Sequence, residues 1–253
     1  MIAVINEDIN GIPSLVVVES DKEKQPLPVI VYFHGITSAK EHNLDTAFLL
    51  AQKGFRVILP DAMHHGEREN GISPVKRTFA FWDMVIQNVK ELETMKDYLE
   101  NKGLIDKGRL GVAGTSMGGI TTAAALRKYQ WIKVAAIMMG SPKLTKFTEE
   151  LVENYRNATQ LPVTDEEIQQ LYERVKEYDL SREIEQLNQR PLLLWHGEED
   201  NVVPFNHSLS FYEEARELYN DSDRIRHIRE ANRDHKVSRP AKLELVEWFR
   251  RYL

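Results

Sequence analysis

Not one of the 253 residues is cysteine. That excludes a disulfide framework, a thiolate nucleophile and Cys-ligated zinc, and it suits a reducing compartment. Long apolar runs are missing as well. The clearest of them, Val29 to Phe33, has the length of a strand and falls far short of the ~20 residues of a membrane span. The first eight residues, Met1 to Asp8, have neither a basic start nor a long apolar stretch, so they do not read as a signal peptide. There is no basic excess: 33 Lys and Arg stand against 39 Asp and Glu. This balance argues against a nucleic-acid partner. The absences together predict a cytoplasmic protein with no membrane span and no nucleic-acid partner. The length suits one large α/β domain, with or without a modest insertion.

Apolar runs of strand length alternate with longer helical patterns. Val29 to Phe33 is β-branched and aromatic and stops at His34-Gly35. Ser38 and Glu41 have the spacing of a capping box, with Gly54 as the stop of the helix behind them. Phe55 to Leu59 follows. Helical spacing of Val85, Val89, Leu92 and Leu99 then predicts a long helix over 78–101. Arg109 to Ala113, Val134 to Met138 and Leu192 to Trp195 read as further strands, and Met117 to Lys128 as a helix. The Arg-rich run Arg224 to Arg229 reads as a charged, protected edge strand. Continuous apolar strands between helices predict an α/β fold with a mostly parallel sheet and helices on both faces. Such a sheet carries its site at the carboxyl ends of its strands. That points to the surroundings of His34, Asp61, Ser116, Ser141 and Asp200.

The rhythm breaks between Pro142 and Arg190, a gap too long for an ordinary loop. Phe147, Leu151 and Tyr155 share one helical face, and Ile168, Leu171, Val175 and Tyr178 another. Thr164 and Glu167 form a capping box by spacing, with Val163 and Ile168 placed as a hydrophobic staple. The expected organisation is therefore a core of 1–141 and 191–253 with a small helical cap of 142–190. Phe81, Trp82, Tyr155 and Tyr178 are the expected walls of the substrate pocket, with Phe79 beside them.

Gly114-Thr115-Ser116-Met117-Gly118 is a G-x-S-x-G motif lying between a strand and a helix, the context in which it forms a nucleophile elbow. The turn needs small residues around Ser116, and it sets the N–H of Met117 at a helix N-terminus, where negative charge is favoured. A serine hydroxyl is a weak nucleophile and needs a base, which in turn needs an orienting acid. Asp200 follows the last buried strand, and His235 follows the final strand-like run. The chain order Ser116, Asp200, His235 is that of α/β-hydrolase triads. Glu198 and Glu199 are weaker alternatives for the acid because they sit closer to the strand. Among the eight histidines, His34 and His196 read as braces of their turns and His227 as part of the edge strand. His207 and His42 read as helical. The oxyanion hole calls for two N–H groups: that of Met117, and one from the turn after the Val29–Phe33 strand, taken as Ile36 with Gly35 as the alternative. Asp61, His64, His65 and Glu67 have ligand-like spacing, but the triad needs no metal, so they are read as a loop beside the pocket and no cofactor is expected.

With Phe33 to Thr37, Gly114 to Gly119, His196 to Asp200 and Asp234-His235 in hand, the chain resembles the small bacterial esterases of the YitV/YjfP type. These lie near the dienelactone hydrolase and prolyl-oligopeptidase-like branch of the α/β-hydrolases. The segment Pro60 to Arg68 is similar to their "D…HG" stretch. The resemblance covers nearly the whole chain and is loosest over 142–190. It implies carboxylic-ester hydrolysis, with Ser116 as nucleophile, His235 as base and Asp200 as its partner. Dienelactone hydrolases use a cysteine that this chain lacks, so their particular reaction is not expected. No propeller precedes the hydrolase core, which argues against oligopeptidase behaviour. An aminopeptidase or amidase with the same triad, and a ligand-binding protein without turnover, are the rival readings. The expected partner is a small-molecule ester; oligomeric state, a homodimer included, stays open.

Overall fold

The computed structural model describes residues 1–158 and 164–253. Eight strands form one sheet: β1 (Ile2–Asp8), β2 (Pro13–Glu19), β3 (Leu27–Phe33), β4 (Arg56–Pro60), β5 (Ile105–Thr115), β6 (Val134–Met138), β7 (Leu192–Gly197) and β8 (Ile225–Glu230). Their spatial order is β1-β2-β4-β3-β5-β6-β7-β8. From β4 to β8 every neighbouring pair is parallel. β1 and β2 form an antiparallel hairpin that continues antiparallel onto β4. The sequence pattern assigns no element to this hairpin, although Leu15 to Val18 is a buried run with three β-branched valines.

Period-2 alternation in β3 divides the core. Val29, Val31 and Phe33 face one layer, with Val85, Val89 and Leu92 of α3 (Phe81–Asn101) and Ile120 and Ala124 of α4 (Met117–Lys128). Ile30 and Tyr32 face the other, with Leu50 of α1 (Leu44–Ala51) and Leu245 and Phe249 of α8 (Arg239–Tyr252). The sheet is thus covered on both faces, the arrangement that continuous apolar strands require.

Two expected helix boundaries differ. The helix placed over 78–101 is two helices, α2 (Pro74–Phe79) and α3, divided at Ala80 with φ −79° and ψ 3°. The aromatics on either side of the break take different partners. Phe79 lies 5.6 Å from the ring of Tyr155, while Phe81 and Trp82 lie 6.3 and 6.4 Å from that of Phe147. The capping box of Ser38 and Glu41 does not form. A 3₁₀ turn over Lys40–Asn43 precedes α1 with no side-chain cap. The Lys40 backbone N–H and ammonium are both given to Asp61, at 3.0 and 2.6 Å, and this buried pairing shapes the segment instead. The insertion holds α5 (Leu144–Ala158) and α6 (Asp165–Lys176), whose Thr164–Glu167 capping box is present. Val163, the expected staple partner of Ile168, lies outside the described residues. After α7 (Phe205–Arg216), β8 forms the outer edge of the sheet, as its charged pattern predicts.

Candidate active site

β5 ends at Thr115 and α4 starts at Met117, so Ser116 alone makes the turn. It holds φ 56° and ψ −116°, a left-handed conformation that a non-glycine residue keeps only when its surroundings enforce it. They do. The Ser116 N–H donates to the Met138 carbonyl at 2.9 Å. Gly114 and Gly118 meet so closely that a Cβ on Gly114 would lie 2.3 Å from the Gly118 backbone, and one on Gly118 would lie 2.0 Å from the Phe33 carbonyl oxygen. The elbow is therefore pressed against the end of β3. The Tyr32 hydroxyl, 2.5 Å from Thr115 Oγ1, ties the two strands together again; burial pushes its pKa up to about 12.

The three residues singled out by chain order converge. His235 Nε2 is 2.8 Å from Ser116 Oγ, and His235 Nδ1 is 2.6 Å from Asp200 Oδ2. Asp200 Oδ1 accepts the N–H groups of Val202 and Val203, both at 2.9 Å. Burial works against its charge, but the hydrogen bonds from His196 and His235, then those from Val203 and Val202, outweigh it and hold the carboxyl well below the usual range. Nδ1–H of His235 therefore faces a carboxylate, and Nε2 is left to accept the serine proton. The loop carrying His235 is fixed by Glu230, which accepts from Arg233 Nε at 2.8 Å and from the Ser238 hydroxyl at 2.6 Å. It is joined to the Asp200 loop where Glu199 N–H donates to the Arg233 carbonyl at 2.9 Å.

The turn after β3 lies against the elbow: a Cβ on Gly35 would sit 3.4 Å from Ser116 Cβ. Two histidines clamp this turn to the 61–68 loop reciprocally. His34 Nε2 accepts the Ala62 N–H at 3.0 Å, and His65 Nε2 accepts the Thr37 N–H at 3.2 Å. The two rings meet edge to face at 5.1 Å. Burial pushes the His34 pKa down to about 4, so the ring stays neutral and able to accept. Thr37 N–H is thus engaged with His65, and Gly35 is the residue of this turn seen against Ser116.

Asp61, His64, His65 and Glu67 do not gather around a common point. Lys40 Nζ takes Asp61 and Glu67 at 2.6 and 2.7 Å, while His64 lies 3.1 Å from Asn70 Oδ1. Among the described residues no group of three or more His, Cys, Asp or Glu side chains is placed to hold a metal. The Lys40–Asp61 pair escaped sequence reading, because 21 residues separate its members and no pattern along the chain links the two.

Of the expected pocket walls, Trp82 and Tyr155 line a common apolar cavity of 130 Å³ between α2, α3, α5 and α6, with Phe79 and Leu151. Phe81 packs its ring 5.1 Å from that of Trp82. Tyr178 is not among them. Its ring lies under Lys128 Nζ at 4.6 Å, at the far end of α4 from Ser116. Eleven residues of helix put that contact roughly 16 Å away from the Ser116 end. Tyr178 follows α6 instead of continuing its face, so helical spacing misplaced it. His207 in α7 pairs with Ser141 Oγ at 3.0 Å and Glu150 Oε1 at 3.1 Å, which ties α5 to the core. No helix is long and apolar enough to cross a membrane among the described residues.

Residues 45–253 match the model of the prolyl oligopeptidase family. The chain is 43% identical to the "Putative esterase YitV" of Bacillus subtilis (strain 168), over 100% of both chains. It is 32% identical to the esterase YjfP of Escherichia coli (strain K12), covering 87% of this chain and 88% of that one. Among solved structures, TT1662 from Thermus thermophilus superposes with a TM-score of 0.75 at 21% identity, covering 99% of this chain and 98% of that one. A likeness at that identity speaks for the fold alone, and the fold is of the α/β-hydrolase type. The match over most of its length and the esterase relatives place the chain in the prolyl oligopeptidase family of esterase-like serine hydrolases.

Proposed function

We propose that the chain is a serine carboxylesterase that cleaves small carboxylic esters through an acyl-serine intermediate. The observation that carries this reading is the unbroken line from Asp200 Oδ2 through His235 to Ser116 Oγ, at 2.6 and 2.8 Å, on the carboxyl edge of the sheet. His235 takes the hydroxyl proton as Ser116 attacks the ester carbonyl. The N–H groups of Met117 and Ile36 receive the oxyanion, Met117 with the help of the α4 dipole. His235 then gives its proton to the leaving alcohol. Water, deprotonated by the same ring, releases the acid, and Asp200 stabilises the cation in both steps. No cofactor enters this scheme.

The insertion 142–190 acts in this reading as a cap, with Trp82 and Tyr155 beside the acyl group. The narrow apolar cavity they share supports short, uncharged acyl chains, and the eleven acidic residues of the insertion against seven basic ones disfavour anionic substrates. The family match supports a second reading, an aminopeptidase or amidase using the same residues. A fluorophosphonate probe followed by peptide mass spectrometry, run beside a panel of esters, thioesters and aminoacyl amides, tests both. Labelling at Ser116 with esters turned over fastest is expected. Label on another residue sinks the triad assignment, and faster cleavage of amides favours the second reading.

A further inference from the structure

The hydrogen bonds around Asp200 do not end at His235. Its Oδ2 has a second imidazole neighbour, His196, with Nε2 at 3.1 Å. That nitrogen also lies 3.0 Å from the Val203 carbonyl. Both neighbours only accept, so His196 Nε2 must carry a proton. The ring is fully buried. With the proton on Nε2, its Nδ1 faces the Ser208 hydroxyl, 2.9 Å away, and accepts from it. Ser208 Oγ in turn lies 3.1 Å from His227 Nε2, which donates to the hydroxyl oxygen. The Phe205 carbonyl, 2.9 Å from Ser208 Oγ, is a second acceptor for the same hydroxyl, so the two share its proton. His227 is held between the rings of Phe205 and Tyr212, at 5.7 and 5.6 Å. Burial pushes its pKa down to about 4, so it stays neutral. The donors run in one direction: His227 to Ser208, Ser208 to His196, His196 to Asp200.

We infer that His196, oriented by Ser208 and His227, is a positioning residue that sets the basicity of Asp200 and through it that of His235. The inference rests on the triad reading above. A carboxylate oxygen that already accepts one N–H is a weaker base toward a second. With His196 in place, Asp200 holds the His235 cation less tightly. Without it, Asp200 clings to that cation, and His235 protonates at a higher pH. Asp200 also loses one of the donors that fix its plane, so turnover slows. None of the three residues hydrogen-bonds to Ser116 or His235, and binding of the substrate is untouched. Two charged pairs lie beside the array, Arg229 with Glu198 at 3.7 Å and Arg233 with Glu230 at 2.8 Å; Glu199, Asp234 and Lys236 flank Asp200 and His235 in the chain. They stay the same in the variants below.

The test is the pH profile of kcat/KM on a short-chain ester for the wild type, His196→Leu, His196→Gln and Ser208→Ala. A glutamine amide can place an N–H where Nε2 stood. In His196→Leu the acidic limb is expected to move up by about half a unit or more, with kcat down ~10-fold and KM within ~2-fold. Ser208→Ala moves the limb in the same direction by less, and carries the test if His196→Leu does not fold. His196→Gln restores most of the wild-type profile. A limb that stays in place in whichever of His196→Leu and Ser208→Ala folds, or a glutamine variant that behaves like leucine, overturns the inference. A wild type that neither labels at Ser116 nor turns over esters is a different failure, that of the triad reading.

Discussion

The carboxyl edge of the sheet around Ser116 and the helices of residues 142–190 are built on different terms. At the edge each loop is held more than once. The elbow is fixed by a strained serine, by glycines in backbone contact and by the Tyr32–Thr115 bond. The turn after β3 is held by two reciprocal histidines and the buried Lys40–Asp61 pair. The insertion is two amphipathic helices that lay one face on the core, with Phe147 and Val175 buried. Its outer faces carry ion pairs such as Arg156–Asp165 and Lys176–Glu173, whose members are largely in water. Exposed pairs of that kind contribute little. Atoms that must meet within a few tenths of an ångström need several independent restraints, whereas a wall for a substrate needs shape and apolarity.

The contrast can be broken most sharply at Ser116. Ser116→Ala should lower kcat by ~10⁴-fold or more, as removal of a triad member does, while the melting temperature holds or rises because the change is small. Steady-state assays with a melting curve check this, and residual activity within ~10-fold of wild type would move the nucleophile elsewhere. Lys40→Met comes next. It leaves Asp61 buried and without its cation, at a cost of about 3–5 kcal/mol by denaturant unfolding. A loss below ~1 kcal/mol would mean that the pair does not hold the turn.

Acid should act on the edge. His34 has a folded-state pKa near 4 against an ordinary 6.5, so the unfolded chain binds more protons between those values. Stability from this group is full above about 6.5 and is lost as pH falls toward about 4, on the order of 3 kcal/mol. His227 adds to the loss over the same interval. His34→Gln can still accept the Ala62 N–H and does not titrate, so its melting temperature should depend less on pH over this range. An equal dependence in both proteins would place the acid sensitivity elsewhere. The smallest effect is expected within the insertion. Tyr155→Ala should shift the preference among acetyl, butyryl and octanoyl esters by a few-fold, about 1 kcal/mol. Tyr178→Ala should leave that profile unchanged, because its ring lies under Lys128. A reversed order would put the acyl site on the other side of α4.

The parts that were readable from sequence share a property: their signal is local. β3, β6 and α4 are apolar runs or helical patterns bounded by glycines, and the elbow is five adjacent residues. Asp200 and His235 were found through their places after strands. The misses are residues whose conformation is set by distant partners. Ala80 breaks a helix without glycine or proline, where the aromatics on either side take different rings of α5, Phe79 that of Tyr155 and Phe81 that of Phe147. Ser38 and Glu41 had the spacing of a cap, but Asp61 claimed the backbone of Lys40. His196 read as a turn brace and is one, yet its bond to Asp200 was invisible from the motif.

By itself the sequence determined the α/β class, the parallel core, the elbow and the identity of the three residues that converge, since periodicity and strand-to-helix punctuation are properties of neighbours in the chain. Tertiary structure alone decided which groups share a proton or a charge: Lys40 with Asp61, His65 with Thr37, and His227 through Ser208 and His196 with Asp200. Those partnerships join residues from 4 to 28 positions apart in the chain, and they depend on distances of about 3 Å that no pattern along the chain encodes.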